Sequence, residues 1–177
     1  MNLRSLHHAL MGIYLAAFAS AITWADSLPT TSHDGLELQH DTKLKAVYLK
    51  PGADLSEYNK VALLDCSVAF KKHWRRDYNE ETVNLSDRIS DKDMAGMRDQ
   101  VAKEFNAVFT EVLTEGGHEL VTEGGTGVLV VQPSIVDLDV TAPDKMSPGS
   151  EYKFAADAGE MTLYMQLYDG RTGDLIA

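Results

Sequence analysis

Val128-Leu129-Val130-Val131-Gln132-Pro133-Ser134-Ile135-Val136-Asp137-Leu138-Asp139-Val140 is the stretch on which the fold turns. Its first four residues are all apolar, which reads as a strand covered on both faces. Beyond Pro133, Val136, Leu138 and Val140 alternate with Asp137 and Asp139, so that half has one wet face. The stretch is either a strand pair or one long bent strand. Proline cannot donate to a ladder, so Pro133 implies a bulge or a sheet edge.

A helix precedes this region. From Asp91 to Glu115, Met94, Met97, Val101, Phe105, Val108, Phe109, Val112 and Leu113 recur at spacings of three and four, which places them on one stripe. Ser90 is the expected N-cap, and Gly116-Gly117 ends the helix because glycine tolerates a left-handed cap. The tetrapeptide Thr-Glu-Gly-Gly occurs at Thr114–Gly117 and again at Thr122–Gly125. The copies read as turns flanking a short strand at His118–Val121. They are not a phosphate loop, since no lysine follows the glycines.

Further out, Val61–Val68 reads as a strand with cover on both faces, and Lys45–Lys50 as a short strand stopped by Pro51-Gly52. Asp54–Tyr58 has room for one helical turn. On the C-terminal side, Met161, Leu163, Met165 and Leu167 alternate with polar or tyrosine neighbours, the pattern of a half-buried strand. Asp169–Gly173 is a hairpin turn, and Leu175-Ile176-Ala177 begins a returning strand. The expected fold is therefore α+β: a mostly antiparallel sheet with one long amphipathic helix packed on one face. The expected limits are a leader at residues 1–25, a flexible lead-in at 26–43 and a single domain at 44–177, ending inside a strand.

The leader reading rests on three features. Arg4 is the only fixed positive charge near the start, Ala9–Trp24 is uncharged, and Ala25 with Thr23 offers the small side chains that signal peptidase accepts. The uncharged run is 16 residues, shorter than the roughly 20 a membrane-spanning helix needs. The expected product is periplasmic or secreted, cut after Ala25, with no transmembrane span. No cysteine follows the cut to accept a lipid.

Charge excludes one class of partner. The chain carries 16 Lys and Arg against 27 Asp and Glu. Losing the leader removes only Arg4, leaving 15 basic residues against 27 acidic and a net charge of -12. Such a body repels phosphate backbones, so nucleic acid is not an expected partner. The single cysteine, Cys66, lies in an apolar run and reads as a buried thiol.

Three segments carry a family resemblance: Tyr48–Tyr58 running into Val61-Ala62-Leu63-Leu64-Asp65, then Gln132–Val140, then Leu167–Gly173. Together they resemble the bacterial envelope family called domain of unknown function 3313, over roughly Leu36 to the end. The resemblance implies an exported, often lipid-anchored protein without assigned activity or agreed functional residues. This chain departs from it in lacking the acceptor cysteine. Family chains usually continue into a further helix, so the domain is expected to be incomplete.

Within an acidic protein, Lys71-Lys72-His73-Trp74-Arg75-Arg76-Asp77-Tyr78 stands out. It reads either as a solvated loop or as a ligand or partner surface in which Trp74, Arg75, Arg76 and Tyr78 meet a sugar, carboxylate or phosphate. Thr141–Gly159 is a long loop. His33, His40, His73 and His118 are scattered, with no zinc-ligand spacing, nucleophile elbow or dinucleotide fingerprint. No catalytic, cofactor or metal residues are therefore assigned. The expected function is a non-catalytic cell-envelope accessory or binding protein with an unknown envelope component as partner. The alternatives are an envelope-polymer hydrolase and a protomer that assembles through a sheet edge at residues 175–177.

Overall fold

The computed structural model describes residues 28–141 and 159–177. The expected leader at 1–25 and nearly all of the expected 141–159 loop lie outside these residues. Chain order is β1 (Glu37–Leu38), β2 (Tyr48–Leu49), β3 (Lys60–Leu63), β4 (Ser67–Phe70), α1 (Trp74–Glu81), α2 (Asp91–Glu115), β5 (Glu119–Leu120), β6 (Val128–Val140) and β7 (Gly159–Asp169). Leu55–Glu57 and Leu85–Asp87 form 3-10 turns. Helix and sheet are both present, so the class is α+β.

The pairing departs from the expected antiparallel sheet. β3 and β4 both run parallel to β6, and β5 runs parallel to β3; only β7 joins the main sheet antiparallel. The connection from β4 to β6 passes through both helices, the crossover that parallel neighbours require. β7 follows one edge of β6 from Leu129 to Val140, so β3 and β4 share the other edge end to end. The expected strand at Val61–Val68 is thus two strands with a break at Leu64–Cys66.

That break explains Pro133. β6 is central, not an edge, and Pro133 is almost wholly buried within it. The Val131 carbonyl accepts from the Leu64 N–H at 2.9 Å, so strand alternation turns the Pro133 nitrogen toward the same side. There it faces the interruption between β3 and β4, where the parallel ladder stops. Ile135 N–H, two residues on, reaches the Cys66 sulfur.

The bulge lies at Asp137, which adopts φ 52°. One extra residue of β6 is inserted there against both neighbours, and a single insertion reverses the facing of every later residue in the strand. Val131, Pro133 and Ile135 point inward before it, Leu138 and Val140 after it. Val136, expected to share a face with Leu138 and Val140, is only half-buried.

α2 has its expected bounds. Ser90 Oγ accepts from Asp93 N–H, and the Asp93 carboxylate accepts from Ser90 N–H at 2.8 Å, a reciprocal capping box. Met94 and Met97 pack with Ile135, Leu138, Val140, Cys66 and Trp74. The stripe beyond them is less covered than expected: Val108 and Val112 are 58% and 56% exposed. A 25-residue helix is about 37 Å long, and its later turns overrun strands of two to four residues. β7 also differs from expectation, being exposed from Gly159 to Tyr164 and half-buried only from Met165 onward.

The two Thr-Glu-Gly-Gly copies flank β5 as expected. Gly117 takes the left-handed conformation (φ 81°) that closes α2. Gly124 lies so close to the Asp169–Gly173 turn that an added Cβ would sit 2.5 Å from the Gly170 carbonyl oxygen. In the expected lead-in, Leu36 is buried and Glu37–Leu38 pairs with Tyr48–Leu49. Leu175–Ala177 returns along β7, with Ile176 N–H donating to Leu167 O at 2.7 Å and Leu167 N–H to Ala177 O at 2.8 Å.

Candidate functional site

β4 delivers the chain to the basic stretch. Lys71 N–H donates to Leu138 O at 3.0 Å, extending the β4–β6 contact by one residue. His73 then takes φ 67° and turns the chain into α1, a helix where charge alone had suggested an unstructured loop. α1 ends at Thr82, whose hydroxyl donates to Tyr78 O at 2.8 Å.

Helical spacing separates the four candidate residues into two pairs. Trp74 and Tyr78, four apart, face inward. Trp74 is 6% exposed and stacks on Phe70 at 4.7 Å and on Tyr78 at 5.6 Å between ring centroids. Its indole N–H donates to Val140 O at 3.2 Å. Trp74 is therefore a core residue, and its ring is not offered to a ligand. Tyr78 is half-buried against the same cluster.

Arg75 and Arg76 face outward. Arg75 pairs with Asp91 at the start of α2; Arg76 pairs with Asp77 at 2.7 Å and reaches Glu80 at 3.8 Å. The hydrogen bond and charge of Asp77 hold the Arg76 guanidinium above its ordinary pKa. Asn79 fixes α1 against the approach to α2, donating to Ile89 O at 2.9 Å and accepting from Ile89 N–H at 2.7 Å.

Two open grooves meet at these arginines. One, of about 640 Å³, is lined by Phe70, Lys71, Lys72, His73 and Arg98 together with Arg75 and Arg76. The other, of about 480 Å³, adds Asn79, Glu80, Arg88 and Ile89 to the same two arginines. Arg98 lies over the Phe70 ring, 5.9 Å from its centroid. Lys71 Nζ is bound to Asp139 at 2.7 Å, and that hydrogen bond and charge, with Glu160 and Asp137 nearby, raise the lysine pKa.

This arrangement suits recognition of an anion. Guanidinium groups match carboxylate and phosphate oxygens in two-point hydrogen bonds. Their present acidic partners are exposed, and exposed pairs are worth only about 0–1 kcal/mol, so an incoming anion displaces them at small cost. Phe70, Asn79, Arg88 and Arg98 were not singled out from sequence. Arg98 was legible only as a charge on α2, because its approach to Phe70 depends on how the helix packs.

Elsewhere the titratable groups serve structure. Burial pushes the Cys66 thiol up, partly opposed by Ile135 N–H. Asp169 accepts from Thr172 N–H at 2.6 Å, Arg171 N–H at 2.9 Å and the Tyr58 hydroxyl at 3.0 Å. These bonds, led by Thr172, hold its carboxyl at about 2. Among the described residues, no three His, Cys, Asp or Glu side chains gather to hold a metal ion. No helix among them is long and apolar enough to cross a membrane.

The sequence profile of a family described as "Protein of unknown function (DUF3313)" matches residues 26–177. The chain belongs to this family. No curated protein and no solved structure matches this DUF3313 chain. The match spans every described element, so the parallel sheet, its two helices and the arginine-bearing face of α1 all lie within the family region.

Proposed function

We propose that this DUF3313 protein is an exported, non-catalytic accessory or binding protein of the cell envelope, and that it meets an anionic group of its partner through Arg75 and Arg76. One observation carries the reading: two outward guanidiniums are shared by adjoining grooves and held on a helix that is pinned from below by Trp74. Export rests on the uncharged run before Ala25. The partner surface must outcompete Asp77, Glu80 and Asp91, which a carboxylate or phosphate does by bidentate contact.

The test is recovery of envelope components on the purified protein, with Arg75→Ala/Arg76→Ala alongside. The wild type should retain a component that the double variant loses, while the melting temperature moves by no more than about 4 °C, because only exposed ion pairs are removed. Equal loss of binding and stability would make the arginines structural. The N-terminal residue of the exported form should be Asp26; full-length protein retained in the cytosol would end the export reading.

A further inference from the structure

Acidic residues outnumber basic ones 27 to 16 along the chain, yet the larger of the two arginine grooves has no Asp or Glu in its lining. The smaller admits one, Glu80. Arg75, Arg76, Arg88 and Arg98 are four of the six arginines in the sequence, and all four line these two grooves. Lys71 is held by Asp139, and Arg75 and Arg76 by exposed carboxylates. Among the described residues, no ion pair engages Lys72, Arg88 or Arg98.

The cations are distributed in an order. Arg98 and Lys72 line only the larger groove, Arg88 only the smaller, and Arg75 and Arg76 line both. The frame that carries them is fixed: Arg98 lies over the Phe70 ring, and Asn79 bonds both backbone groups of Ile89, next to Arg88. A single anionic group seated in one groove leaves the outer arginine of the other without a ligand.

Resting on the anion reading of Arg75 and Arg76, we propose that the ligand is a compact molecule with two phosphate monoester groups, one seated in each groove. Arg98 and Lys72 hold the first group, Arg88 holds the second, and Arg75 and Arg76 bridge them. The carboxylates already present decide between phosphate and carboxylate. Asp77, Glu80 and Asp91 belong to the same chain as the arginines they pair with, and a tethered group acts at an effective concentration of about millimolar. A free carboxylate brings the same charge and the same geometry, so it gains nothing by exchange. A phosphate monoester brings a charge of about -1.5 to -2 and three acceptor oxygens, enough for guanidiniums on both sides. The net charge of -11 sets the size: a long polyanion meets repulsion beyond the grooves, whereas a short ligand keeps its charge among the cations.

Isothermal titration calorimetry at low salt reads the assignment with three probes: fructose bisphosphate, fructose monophosphate and glucarate, a dicarboxylate of the same carbon count. The bisphosphate should bind at least about tenfold tighter than either of the others. Arg98→Gln and Arg88→Gln, in different grooves, should each weaken it about tenfold or more, while the monophosphate responds to only one of them. Both side chains are exposed, so the melting temperatures should stay close to wild type and loss of fold cannot carry the result. Lys103→Gln, on α2 and outside both grooves, should leave binding unchanged. Vesicles carrying phosphatidic acid test a lipid-borne source: binding to them with the same dependence on Arg88 and Arg98, in place of the soluble bisphosphate, supports the proposal and puts the phosphates on a membrane surface. Equal affinity for glucarate, indifference to Arg88 or to Arg98, or no binding to either phosphate source overturns it. The simpler anion reading survives that result if Arg75→Ala/Arg76→Ala still loses its envelope component, and falls only if the double variant retains it.

Discussion

Replacing Trp74 by alanine tests which role that residue holds. Its ring is 6% exposed between Phe70 and Tyr78. An aromatic ring buries about 150–250 Å², which at about 25 cal/mol per Å² gives an upper value near 4–6 kcal/mol. Aromatic-to-alanine changes in cores cost about 3–5 kcal/mol, so about 4 kcal/mol is expected. For a domain of this size each 1 kcal/mol lowers the melting temperature by about 2–4 °C. Trp74→Ala should therefore melt about 8–16 °C below the wild type by circular dichroism. Trp74→Phe keeps the stack but loses the indole N–H to Val140 O, leaving a carbonyl short of a partner at about 1–3 kcal/mol. The ordering should be wild type, then Phe, then Ala. A Trp74→Ala protein that melts within about 2 °C of wild type would refute the core assignment and return the ring to the ligand surface.

Two more predictions concern the Asp169–Gly173 turn. Asp169 sits at about 2 in the folded chain, below the roughly 3.9 of a free aspartate, so its contribution is present above about pH 4 and lost as pH falls toward 2. Urea midpoints should show Asp169→Asn weaker than wild type at pH 7, the two curves converging near pH 2; a gap independent of pH would contradict the linkage. An alanine at Gly170 would place its Cβ 2.7 Å from Val128 O, whereas at Gly125 the nearest atom is 3.9 Å away. Gly170→Ala should accordingly lower the melting temperature far more than Gly125→Ala, and the reverse order would mean that the close crossing of the two turns is absent.

Much of this molecule was legible locally. The bounds of α2, its Ser90 cap, both Thr-Glu-Gly-Gly turns and the Asp169 turn arise from side chains acting on backbone within a few residues. Other features were hidden because their causes lie across the sheet. α1 reads as a charged loop until Trp74 is seen to bury itself on Phe70 and Val140; only then do its arginines face outward as a pair. The first half of β7 reads as half-buried and is exposed, because alternation reports two faces but not whether anything covers them.

Amino-acid order alone sets where α2 and the turns form, since periodicity, capping and glycine conformation are short-range forces. It also sets the acidic charge and the uncharged run from Ala9 to Trp24. Three features came from the folded arrangement instead: β3 and β4 run parallel to β6, the Pro133 nitrogen meets a gap, and Asp137 reverses the inward face. Strand direction and phase are settled by partners as far apart as Lys60 and Val128 or Phe70 and Leu138, and those partners meet only when the core closes.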